Sequence, residues 1–63
     1  MKLVRFEDVQ GRETFVNAEC VNFICDLGSG KTELNFGAKE ATVYVEMEVS
    51  AVAKTLLKAT GDK

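Results

Sequence analysis

The chain of 63 residues contains no proline, no tryptophan and no histidine, and only one tyrosine. Without histidine, the usual general base of a Ser or Cys nucleophile is missing, and so is the commonest neutral metal ligand. Without proline, the turns fall to glycine. Two cysteines, Cys20 and Cys25, are too few for a disulfide framework. No apolar run approaches the roughly 18 residues of a membrane span, and the opening residues carry no basic-then-apolar leader pattern. The net charge of −2 and pI near 5.0 run against the basic footprint of a duplex nucleic-acid binder. These absences point to a non-catalytic protein of the cytoplasm, with no cofactor and no membrane contact.

What is present is alternation. Val21–Leu27, Thr32–Phe36 and Ala41–Met47 each read as a strand, because successive strand side chains point to opposite faces. Val21, Phe23, Cys25 and Leu27 then share a face with Leu34, Phe36, Ala41, Val43, Val45 and Met47. The reverse face holds Asn22, Asp26, Glu33, Asn35, Thr42 and Glu46, with Ile24 and Tyr44 as apolar exceptions. The linkers Gly28–Lys31 and Gly37–Glu40 suit antiparallel hairpins. Upstream, Lys2–Phe6 and Arg12–Val16 form a hairpin around a turn in which Gly11 supplies positive φ. Asn17 caps a single helical or 3₁₀ turn over Ala18–Cys20.

Residues 48–60 form the one helix. Val49, Val52, Ala53, Leu56 and Leu57 fall at i, i+3, i+4, i+7 and i+8, a single stripe of a 3.6 period. Lys58 suits the C-terminal end of the dipole and Gly61 the C′ position. Glu48 is a weak start, lacking a Ser, Thr or Asp cap. The expectation is one α+β domain over 1–63, mostly β: a small bent antiparallel sheet or barrel of about five strands with one C-terminal helix. Phe6, Phe15, Phe23 and Phe36 are expected in its core.

Several patterns invite chemistry. Gly28-Ser29-Gly30-Lys31-Thr32 resembles the tail of a phosphate-binding loop, but Cys25 stands where the first glycine belongs and a strand pattern follows Thr32. It reads as a hairpin turn. The acidic residues show no metal-loop spacing and read as solvated surface. Cys20 and Cys25 read as reduced thiols; zinc would need carboxylates or a second chain. Lys2, Arg5, Arg12, Lys31 and Lys39, with Tyr44 as a stacking platform, are the candidate contacts for a single-stranded RNA or DNA regulator, the second-ranked reading. A third is a small-ligand or nucleotide binder with sites between protomers. The leading expectation is a protein-interaction module that forms homo-oligomers. Its contacts are Ile24 and Tyr44, read as neighbours on the outward face, with the edge of the N-terminal hairpin.

Val16-Asn17-Ala18-Glu19, Val21, Ile24, Gly30 through Gly37, Val43-Tyr44-Val45, Val49, Val52 and Leu56 together resemble the small FlbD-like flagellar and swarming-motility family of bacteria and mobile elements. The likeness runs from about Phe6 to Leu57. It implies a small β-rich fold with a C-terminal helix and no catalytic residues. Glu48 and the two cysteines depart from that pattern.

Overall fold

The structure, a computed structural model, describes residues 2–38 and 40–61. Five strands and one helix follow in order: β1 Leu3–Glu7, β2 Glu13–Asn17, a 3₁₀ turn Ala18–Cys20, β3 Phe23–Gly28, β4 Lys31–Asn35, β5 Thr42–Val45 and α1 Val49–Thr60. The fold is α+β, as the alternation and the single 3.6 stripe imply.

The strands form two antiparallel sheets, β1-β2 and β3-β4-β5. They meet where Asp8 bridges Val45. There the Val9 N–H donates to the Tyr44 carbonyl and the Glu46 N–H to the Glu7 carbonyl, each at 3.0 Å. Beyond that short junction the two sheets stay separate and neither closes into a barrel, so β3 is an outer strand of its three-stranded sheet.

Helix α1 lies across the concave side, packing against β1, β3, β4 and the 3₁₀ turn. Val52 and Leu56 are its buried residues. They complete a core of Val4, Phe6, Val16, Ala18, Leu34 and Val45. The helix ends at Gly61, in the left-handed region at φ 84°, whose N–H reaches the Leu57 and Lys58 carbonyls. At the other end Glu48 makes no side-chain cap bond. The first turn is instead anchored from the sheet. The buried Thr32 hydroxyl donates to the Met47 carbonyl at 2.6 Å, holding the corner between β5 and α1.

The expected face of β3 is reversed. In the observed register Ile24 lies opposite Leu34, which lies opposite Val43, so these three share the core side. Ile24 packs against the core, while Phe23, Cys25 and Leu27 are exposed. The cause is one extra residue. The hairpin turns on Ser29 and Gly30, both at positive φ, as a type I′ turn requires. That turn pairs Gly28 with Lys31, and unbroken pairing from there would set Cys25 against Leu34. A bulge between Asp26 and Gly28 shifts the register at Leu27, and a one-residue slip moves every side chain beyond it to the other face. Phe15 is likewise exposed, on β2, rather than in the core.

Candidate interaction surfaces

The register separates Ile24 from Tyr44. Tyr44 belongs to the outward row Cys25–Glu33–Tyr44, and Ile24 to the core-side row with Leu34. They are not neighbours on one face, as the sequence had suggested. Each instead belongs to its own depression in the surface.

Ile24 lines a groove of about 340 Å³ between β3 and α1. Val21, Phe23, Leu56 and Leu57 contribute to its walls. Phe23 stays 49 % exposed and Leu57 46 %, a large apolar exposure for side chains beside an intact core. Leu57 is the one member of the helical stripe left exposed, at the groove beside β3.

Tyr44 lines a wider cleft of about 530 Å³ between the β1-β2 turn and β5, with Phe15 on its other wall. The turn itself is tied down by Asp8. Its carboxylate accepts from the Gln10 N–H and the Arg12 N–H, each at 2.9 Å, and from Arg12 Nε at 2.7 Å. Although Asp8 is buried, its carboxyl sits below the ordinary carboxylate range. The Arg12 backbone N–H is the main cause; burial opposes it, and the Arg12 side chain and the Gln10 N–H add to it. This residue had read as solvated surface. An Asp three residues before a turn glycine, here Gly11, is the local signal for such a carboxylate-capped loop.

The candidate nucleic-acid contacts do not assemble into one basic surface. Arg5 pairs with Glu13 at 2.6 Å, Arg12 with Asp8 at 2.7 Å and Lys31 with Glu46 at 3.3 Å. Lys2 precedes β1, its N–H donating to the Asn17 side chain, and Lys39 lies outside the described residues. Cys20 and Cys25 are both exposed free thiols. Among the described residues no three His, Cys, Asp or Glu side chains come together as a metal site. No helix among them is long and apolar enough to cross a membrane.

Comparison with known protein families, curated proteins and solved structures finds no match to the chain.

Proposed function

We propose that this chain is a non-catalytic protein-interaction module that self-associates. The observation that carries the reading is the flank of β3. An edge strand with a neighbour on one side only adjoins an apolar groove rimmed by the exposed Phe23 and Leu57. Open edges and contiguous apolar surface are the two features by which folded β proteins recruit another chain. Ile24 serves this surface. Tyr44, with Phe15, serves the separate cleft, where a partner protein other than a second copy would dock. Two exposed thiols suit a reducing compartment, and we place the protein in the cytoplasm.

The pairing of Arg5, Arg12 and Lys31 with carboxylates weighs against the nucleic-acid reading, since a phosphate would have to displace each partner. Light scattering of the full chain over a dilution series tests the proposal. The mass should rise above 6.9 kDa with concentration, and single-stranded oligonucleotides in low salt should produce no saturable shift. A monomer at every concentration, or tight saturable oligonucleotide binding, refutes it.

A further inference from the structure

The backbone of β3 specifies how a second copy would be received. The Phe36 N–H donates to the Ala41 carbonyl, so the even residues of β4 turn their hydrogen-bonding groups toward β5 and the odd ones toward β3. Cys25, opposite Glu33, and Phe23, opposite Asn35, therefore bond inward. Ile24 and Asp26 point their N–H and C=O groups outward, to the open edge. We propose that two copies of this chain pair β3 to β3, antiparallel about a twofold axis that passes between the two Cys25 residues. This rests on the self-association reading above and names its partner and register.

The register follows from those outward groups. With Cys25 on the axis, Ile24 of one copy faces Asp26 of the other, twice, and each pair exchanges both of its backbone bonds. Sliding two residues one way sets Asp26 against Asn22, whose N–H is already committed to the Asn35 carbonyl at 2.7 Å. Sliding the other way sets Ile24 against Gly28, beyond the bulge. Each slide leaves only one self-paired residue with complete bonding.

In the axial register Phe23 of each copy lies opposite Leu27 of its mate, bringing two exposed apolar side chains to the seam. On the core side the added strand lies over the groove beside Leu57. Covering Phe23, Cys25, Leu27, Leu57 and the strand backbone removes on the order of 500 Å² from each copy, near the lower bound for a specific interface. The dimer is accordingly concentration-dependent.

The two Cys25 residues form a pair without hydrogen bonds between them. Their Cα atoms would lie about 4.5 Å apart, within the roughly 4.4–6.8 Å that a disulfide spans. Oxidised glutathione then provides the test. Two Cys25 thiols join as one disulfide, and their two hydrogens and two electrons leave on glutathione as two free thiols. The comparison is between Cys20→Ser, which keeps Cys25, and Cys25→Ser, which keeps Cys20. Both substitutions are at exposed positions, and circular dichroism is the check that each variant folds. Cys20→Ser should form covalent dimer at least about tenfold faster, because its thiols are held together before they react. If light scattering shows association but Cys25 crosslinks no faster than Cys20, the β3 pairing is wrong and self-association stands. If neither variant nor the parent chain associates at any concentration, both proposals fall.

Discussion

Replacing Leu34 with alanine tests where the core lies. Leu34 is 0 % exposed on β4, the middle strand of the three-stranded sheet, with Ile24 and Val43 beside it on the core side. The substitution deletes three carbons, worth about 2.5 kcal/mol in transfer at roughly 0.8 kcal/mol each. The residual cavity takes the loss to about 3 kcal/mol, within the roughly 2–5 kcal/mol seen for buried Leu→Ala changes. At about 0.05–0.15 kcal/mol per residue, the whole stability of so short a chain is roughly 3–9 kcal/mol. The variant should be close to half unfolded or worse if the parent lies at the lower end. Leu3→Ala is the control, because Leu3 is exposed on β1 and should change stability by less than about 0.5 kcal/mol. Urea denaturation followed by circular dichroism, at one fixed chain concentration, reads both. Equal losses for the two variants, or a loss below about 1 kcal/mol for Leu34→Ala, would refute this placement of the core.

Two further substitutions probe the local devices. Glu48 already has the extended backbone of an N-cap, at φ −67° and ψ 150°, and its carbonyl accepts from the Val52 N–H, yet its side chain caps nothing. Glu48→Ser should therefore stabilise the chain by about 0.5–1 kcal/mol, read as a melting temperature raised by a few degrees; an unchanged or lower value contradicts the cap geometry. Asp8→Asn should destabilise at neutral pH, because the native carboxylate is held ionised by its N–H and guanidinium partners. Its folded pKa is depressed, so its contribution is present above the unfolded value and lost as pH falls through the folded one. The gap in urea midpoint between parent and variant should narrow below about pH 4, and a gap that widens in acid would reverse the argument.

Much of the fold was legible because the signals were local. The 3.6 stripe from Val49 to Leu57 placed the helix, Asn17 placed the 3₁₀ turn, and Gly11 placed the hairpin bend. The face of β3 was not legible. Both of its parities carry apolar residues, and the choice between them depends on a single extra residue at the bulge near Leu27. Alternation counts residues but does not reveal a slip between two strands. That slip is also what exposes Phe23 and brings Ile24 to the groove, so the candidate surface was half visible at best. Ile24 was singled out for the wrong face. Thr32 and Asp8 were missed because short polar side chains in a strand and a turn look solvated until their backbone partners are in place.

Amide hydrogen exchange at Ile24 and Asp26 tests the β3 edge most directly. These N–H groups face outward from a lone protomer and become bonded only when another strand arrives. They should exchange fast in dilute solution and slowly in concentrated solution, while the inward N–H of Cys25 is protected in both. Fast exchange at Ile24 and Asp26 under conditions where the chain is associated would show that the contact lies elsewhere.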